Sequence, residues 1–91
     1  MNLSSKEAEG ITVILLEGSV LGGPDATMLN DTLHKLTEQR KKKIVVDLSR
    51  VQSMNSSGLS MLITGLATMK NAGGDLKIAA ASKKIADLLV M

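Results

Sequence analysis

Short aliphatic runs alternate with helical patterns along this chain of 91 residues. Residues 11–17 read ITVILLE between two glycines, and residues 44–48 read IVVDL, both of which are typical of buried strands. A third run, Asp75–Ala79, reads DLKIA. Because a helical pattern separates each run from the next, the sequence predicts an α/β fold with parallel neighbouring strands.

Two amphipathic helices are predicted between these strands. The first begins at Pro24 and Asp25, and its apolar stripe consists of Ala26, Leu29, Leu33 and Leu36. The second covers residues 57–72, and its apolar positions are Leu59, Leu62, Ile63, Leu66 and Met69. If those positions face the core, the open side of the second helix carries Ser60, Met61 and Thr64. On that side Met61 is a flexible apolar contact surface, and the alternative is that it is another core residue.

The remaining segments complete the predicted fold. Residues 2–8 are polar and precede Gly10, which favours an edge strand paired as a hairpin, and residues 49–55 are predicted as a loop. A third amphipathic helix begins at Ser82, with Ile85, Leu88 and Leu89 as its apolar residues. The sequence thus predicts one domain over residues 1–91, with a mixed sheet of about four strands and helices mainly on one face. Because the last helical pattern has no terminating signal, we expect either an unusually short protein or a C-terminally truncated fold. The aliphatic residues of this helix then either pack on the sheet or stay partly exposed, and in the second case we expect weak self-association.

Composition excludes several classes of function. The chain has no Cys, no Phe, Tyr or Trp, and a single histidine, His34. Disulfides, thiol catalysis, cysteine-zinc sites and base-stacking platforms are therefore unavailable. The motifs GxxxxGK[ST], GxGxxG and GxSxG do not occur. We expect no enzyme activity, no metal, no cofactor and no nucleic-acid partner.

The charge balance gives little information about partners, since the formal net charge is only +2. The basic run at residues 40–43 ends the first predicted helix, where cations complement the helix dipole. Contact with nucleic acid or a membrane surface is the alternative for this run. Neither a signal-peptide core nor an apolar stretch of membrane-spanning length is found, so we expect a cytoplasmic chain without membrane insertion.

The most informative segment is residues 45–62, which read VVDLSRVQSMNSSGLSML. A strand ends in this segment, and Asn55, Ser56 and Ser57 precede Gly58 and a helix. Asn or Ser at this point can cap the helix by accepting a hydrogen bond from a first-turn N–H group. A phosphoryl group on a serine here would also meet backbone N–H groups and the positive end of the helix dipole.

In this segment, and over residues 11–91, the chain resembles the STAS domain, specifically the anti-sigma factor antagonists of bacteria. The resemblance implies a switch protein in which the first serine of the Ser-Ser-Gly motif, Ser56, is phosphorylated. It implies a partner that is both serine kinase and anti-sigma factor, bound by the unphosphorylated form, and a serine phosphatase that reverses the modification. We expect the partner-binding surface to consist of Asn55, Ser57, Gly58, Ser60, Met61 and Thr64.

Two other functions stay open. Asn55 stands where the family usually has Asp, which removes a carboxylate that the kinase can use to orient the serine hydroxyl. A STAS subunit used only for docking, as in lipid-transport ABC systems or transporter tails, is one alternative. Nucleotide binding by the loops at residues 22–25 and 55–58 is the other, although a phosphate-loop lysine is missing.

Overall fold

The computed structural model describes residues 1–79, which form a mixed four-stranded sheet with two helices. The elements follow one another along the chain as β1 (Asn2–Ala8), β2 (Ile11–Val20), α1 (Pro24–Glu38), β3 (Lys43–Met54), α2 (Ser56–Asn71) and β4 (Asp75–Ala79). The strand order in the sheet is β1-β2-β3-β4. The predicted α/β fold class is therefore confirmed. The third predicted helix, with its apolar residues, lies outside the described residues.

The sheet is mixed because its first connection is a hairpin and the later ones are helical. β1 pairs antiparallel with β2, and Glu9 and Gly10 form the turn with φ angles of 54° and 80°. Positive φ at both central positions is the geometry of a two-residue type I′ hairpin. β2 pairs parallel with β3, and β3 pairs parallel with β4. These findings confirm the predicted edge strand and parallel strands.

The strands β2 and β3 are longer than predicted, and the prediction of a loop at residues 49–55 is wrong. β3 continues to Met54, and β2 continues beyond Gly18 to Val20. The pairing of β2 with β3 shifts its register in this region, so the two strands stay paired to their ends. The Ser53 hydroxyl donates to the Ser19 hydroxyl across the two strands at 2.8 Å. This segment is therefore a strand extension rather than a loop, in which Val51 and Met54 are buried and the polar residues Arg50 and Gln52 are exposed.

The core lies between one face of the sheet and the two helices. Alternate residues of β2 and β3 point to the helices and are buried, and they include Ile14, Leu16, Ile44, Val46 and Leu48. From α1 the core receives the predicted stripe of Leu29, Leu33 and Leu36, with Ala26 partly buried. The amphipathic pattern of α1 is thus confirmed.

On α2 the buried face differs from the predicted one. Met61 is only 6% exposed, whereas Ile63, predicted to be buried, is 59% exposed. The buried positions are Gly58, Met61, Leu62, Gly65 and Met69. A Cβ added at Gly65 would lie 3.0 Å from the Leu33 Cδ1 atom, so this glycine lets the two helices approach closely. Of the predicted stripe, Leu62 and Met69 are buried as expected and Leu59 and Leu66 are partly buried, whereas the prediction for Ile63 is wrong. The close approach of α1 at Gly65 is accompanied by a rotation of the buried face towards Met61.

On the other side of the sheet, Asp47 of β3 makes a local hydrogen bond that affects its protonation. Its Oδ1 atom accepts from the Ser49 N–H at 2.8 Å. This bond, together with the Ser49 hydroxyl and the positive charges of Arg50 and Lys6, lowers the pKa of the Asp47 carboxyl below its ordinary value. Because the carboxylate is favoured in the folded state, Asp47 stabilises the fold above the unfolded-state pKa. That contribution is lost as the pH falls through the folded-state pKa.

We predict that Asp47→Asn lowers the free energy of unfolding at pH 7 by less than about 1 kcal/mol, because water screens this partly exposed charge. The difference in unfolding free energy from wild type should shrink on acidification. It should vanish once Asp47 is protonated in both the folded and the unfolded state. Urea unfolding at several pH values measures it. Glu38→Gln, at an exposed position in the last turn of α1, is the control and should not lower stability. A difference that persists unchanged at low pH would contradict the role of the charge.

Candidate functional site

The candidate site is built around the start of α2. Asn55 has an extended backbone (φ −108°, ψ −177°), and its side-chain Oδ1 accepts from the Gly58 N–H at 2.8 Å. The predicted N-cap is therefore confirmed. Ser56 is the first residue of the helix, and both Ser56 and Ser57 are exposed. The cap fixes the first turn, and so it fixes the backbone that carries the two serines.

The first turn of α2 lies directly against the end of β2. A Cβ added at Gly58 would lie 2.0 Å from the Val20 carbonyl oxygen and 2.8 Å from its carbon, and both atoms belong to rigid backbone. The Asn55 N–H donates to the same oxygen at 3.4 Å. Only glycine fits at residue 58, since any side chain would push the helix away from the strand.

The loop after β2 brings the start of α1 to the same place. Gly22 has a φ of +82°, and a Cβ added to it would lie 2.7 Å from the Ser57 Cβ. Pro24 then begins α1. The two loops that the sequence singled out, residues 22–25 and 55–58, therefore meet, and the first turns of both helices lie side by side.

Between the two helices lies an open groove with a volume of about 560 Å³. Five of the predicted site residues line it, namely Ser56, Ser57, Ser60, Met61 and Thr64. Two others have structural positions beside it, since Asn55 caps the helix and Gly58 packs on Val20. The expectation that Met61 lies on an open helix face is wrong, because Met61 belongs to the core and contributes to the groove floor.

The α1 side of the groove was not predicted. It is formed by Gly22, Gly23, Ala26, Thr27, Leu29, Asn30 and Leu33, and Gly65 completes the α2 side. Thr27 and Asn30 carried no sequence signal, because polar residues on an exposed helix face are ordinary. The sequence indicated this region only through the LGGPD turn, which contains one of the two loops of the nucleotide-binding alternative.

Within the described part of the chain, every residue that lines the groove is uncharged. Two charged side chains close to these residues in sequence, Asp25 and Glu17, are engaged with other groups. Asp25 contacts the α-amino group of Met1 at 3.6 Å and accepts from the Leu21 N–H at 3.4 Å, and Glu17 lies 3.7 Å from Arg50. The first turn of α2 contains no acidic residue. The groove therefore offers hydroxyl, amide and apolar groups to a ligand, but no ionic partner.

Residues 1–79 contain neither a cluster of metal-binding side chains nor a membrane-spanning helix. No group of three or more His, Cys, Asp or Glu side chains in that range is arranged to hold a metal ion. None of the helices there combines the length and the apolar character needed to cross a membrane.

Comparison with known proteins gives a family and a fold. A family model described as "Mlab, STAS domain" matches residues 4–91. No curated protein matches the sequence. Because the family model covers nearly the whole chain, the relationship does not depend on the serine motif alone.

Solved structures with the same fold have low sequence identity to this chain. SpoIIAA of Bacillus in its phosphorylated form has a TM-score of 0.74 at 15% identity, over 98% of this chain and 81% of SpoIIAA. An anti-sigma factor antagonist STAS domain from Rhodobacter sphaeroides has a TM-score of 0.66 at 16% identity, over 90% of this chain and 91% of that chain. The murine anion transporter Slc26a9 has a TM-score of 0.75 at 11% identity, over 93% of this chain and 14% of the transporter. At these identities the similarity shows the fold alone.

The contact between Gly58 and Val20 can be tested with two glycine substitutions in the same helix. We predict that Gly58→Ala lowers the free energy of unfolding by about 3 kcal/mol, because the new Cβ collides with rigid backbone. Gly65→Ala is the matched control, since its Cβ would meet the flexible end of Leu33 and alanine favours the helix by about 1 kcal/mol. It should stay within about 1 kcal/mol of wild type in chemical denaturation. Equal losses in the two variants would contradict this packing.

Proposed function

Because the chain belongs to the STAS domain family, we propose that it is an anti-sigma factor antagonist, a protein-binding switch controlled by phosphorylation of Ser56. In this proposal the unphosphorylated form binds a cytoplasmic anti-sigma factor that is also a serine kinase. The kinase transfers phosphate to Ser56 and releases the chain, and a serine phosphatase restores the binding form. The chain itself catalyses no reaction.

The observation that carries the proposal is the position of Ser56. Its side chain is exposed on the first residue of α2, at the rim of the groove. A kinase can therefore reach the hydroxyl without unfolding the domain. First-turn N–H groups and the helix dipole favour an anion at this place, so the fold tolerates the phosphate.

The adjacent serine has a different environment. Ser57 packs against the loop after β2, where Gly22 leaves no space for even one added carbon. The three atoms nearest to a Cβ at Gly22 all belong to Ser57, so the side of Ser57 that faces this loop is closed to a kinase. This difference supports Ser56 as the acceptor rather than Ser57.

Phosphorylation would change the binding surface more than the fold. A phosphoserine adds about −1.5 to −2 charges at pH 7, and the groove residues offer no ionic partner for them. Moving these charges into a packed contact costs desolvation energy. A loss of about 2–4 kcal/mol, which is about 30- to 1000-fold in Kd, suffices to release the partner. SpoIIAA, which shares the fold, has been solved in both unphosphorylated and phosphorylated forms.

Docking without phosphorylation is the second candidate function, for example as a subunit of a lipid-transport ABC system or another transporter. The fold similarity to the anion transporter Slc26a9 favours it. The amide of Asn55 also favours it, because that side chain caps α2 without supplying a carboxylate beside Ser56. Nucleotide binding is not favoured, since no basic side chain lines the groove in the described residues.

We predict that incubation with the anti-sigma factor kinase of the same genome and ATP places phosphate on Ser56, as measured by mass spectrometry of the intact chain and its peptides. Ser56→Ala should bind the kinase and stay bound when ATP is added. Ser56→Asp should bind at least about 30-fold more weakly and remain folded, because its charge resembles that of the phosphate.

Ser57→Ala is the matched control for Ser56→Ala, since the two residues are adjacent and both exposed. It should still accept phosphate and still be released by ATP. Absence of phosphate on Ser56, or phosphate on Ser57 instead, would overturn the proposal. In that case co-purification with a transporter subunit would establish docking as the function.

The role of Asn55 gives a separate prediction. Asp caps helices about as well as Asn, so Asn55→Asp should keep the fold and add a carboxylate next to Ser56. We expect the initial rate of phosphorylation to rise at least about tenfold if that carboxylate orients the hydroxyl during transfer. Asn55→Ala, which loses the cap and about 1 kcal/mol of stability, is the control and should not be faster. An unchanged rate for Asn55→Asp would show that the kinase does not use a carboxylate here.

A further inference from the structure

We propose that the α1–α2 groove binds an amphipathic helix of the partner through an uncharged, aliphatic face, so that docking depends on apolar contact and not on ion pairs. This inference rests on the proposed function and adds to it the chemistry of the partner surface. It concerns the whole length of the groove, of which Ser56 occupies one end.

The absence of charge in the groove is the first observation. Charged residues make up 22% of the chain, so about three would be expected among the thirteen that line the groove if position did not matter. None of these thirteen described residues is charged. The centres of specific protein interfaces are likewise depleted of charged residues relative to the rest of the surface.

The arrangement of groups in the groove is the second observation. Its floor is apolar and includes Leu29, Leu33 and the adaptable side chain of Met61. Two small residues, Gly23 and Ala26, leave room for incoming side chains, and a Cβ added at Gly23 would meet no atom within 4 Å. Gly22 and Gly65 also line the groove, where they let its two sides approach closely. Hydroxyl and amide groups line the rest, and they belong to Thr27, Asn30, Ser56, Ser57, Ser60 and Thr64. An apolar floor with an uncharged polar rim suits aliphatic side chains that enter from a helix.

The dimensions fit a short helix. Along α2 the lining residues extend from Ser56 to Gly65, which corresponds to about 14 Å at 1.5 Å per residue. This length accommodates two to three turns of a bound helix, enough for anchors at positions i, i+3, i+4 and i+7. A bound helix satisfies its own backbone N–H and C=O groups by internal hydrogen bonds. Its backbone therefore needs no polar partners from the groove.

A group of exposed cations lies at the opposite end of the domain. Arg40, Lys42 and Lys43 are exposed where α1 ends and β3 begins, and Lys70 is exposed near the end of α2. Because β2 and β3 run parallel and both helices return along them, this end lies away from the groove. A partner that docks through electrostatic attraction would meet those cations, whereas the groove selects an uncharged face.

The experiment places a charge of either sign at the end of the groove that lies away from Ser56. Thr64 is exposed on α2 and lines the groove, and Asn71 is exposed at the end of the same helix and does not. Thr64→Glu and Thr64→Lys are compared with Asn71→Glu and Asn71→Lys. Isothermal titration calorimetry with the anti-sigma factor kinase, without ATP, measures Kd for the full chain.

We expect both Thr64 variants to bind at least about 30-fold more weakly, because each buries an unpaired charge, and both Asn71 variants to bind within about threefold of wild type. Raising NaCl from about 50 to 500 mM should change the wild-type Kd by less than about threefold, since no ion pairs are screened. Asn30→Lys, across the groove on α1, should repeat the Thr64 result. Thermal unfolding of every variant checks that the fold is intact.

Several outcomes would overturn the inference. Opposite effects of Glu and Lys at residue 64 would indicate a charged partner face. Unchanged affinity in the Thr64 and Asn30 variants, while Ser56 is still phosphorylated, would remove the groove from the interface and leave the proposed function standing. If the wild type neither binds the kinase nor is phosphorylated by it, the groove inference and the proposed function are both rejected. A wild-type dimer in sedimentation experiments that Thr64→Lys dissociates would assign the groove to a second copy of this chain.

Discussion

The contact between the Val20 carbonyl and Gly58 determines the geometry of the site. The carbonyl oxygen ends β2, and it accepts a hydrogen bond from the Asn55 N–H at the point where β3 passes into α2. The side chain of Asn55 in turn accepts from the Gly58 N–H. Strand end, helix cap and first helical turn therefore constrain one another, and no atom can be added at residue 58 without separating them. The exposed position of Ser56 depends on this arrangement.

The groove follows from the same use of glycine. Gly22 brings the loop before α1 against Ser57, and Gly65 lets α1 and α2 approach at Leu33. Glycine within a helix costs about 1 kcal/mol relative to alanine, so Gly58 and Gly65 weaken α2 as an isolated helix. Burial of the α2 core residues Met61, Leu62 and Met69 against the sheet and α1 offsets that cost. The helix thus depends on tertiary packing, which also positions the serines.

Local signals in the sequence predicted much of this fold. The alternation of strands and helices, the stripe of α1 and the N-cap at Asn55 each depend on residues that are close in sequence. The apolar pattern of α2 gave its core face only in part, because Leu62 and Met69 are buried, whereas Met61, Gly58 and Gly65 are buried in addition and Ile63 is exposed. Thr27 and Asn30 were missed for a related reason, since only tertiary structure places α1 beside the serine motif. The extension of β3 was missed because strand pairing satisfies polar residues that resemble a loop.

Under the proposed function, one phosphate would have opposite energetic effects on the fold and on the interface. Within the domain, the anion lies at the N-terminus of α2, where the helix dipole is worth about 0.3–1 kcal/mol in its favour at an exposed site. At the interface, the same anion enters an uncharged groove, and desolvation costs several times more. The difference lies in solvent access, because water screens the phosphate on the free domain and is excluded from the complex. A switch of this kind requires no conformational change in the chain, and a rigid first turn at Asn55–Gly58 would be an advantage, since the charge cannot move out of the contact.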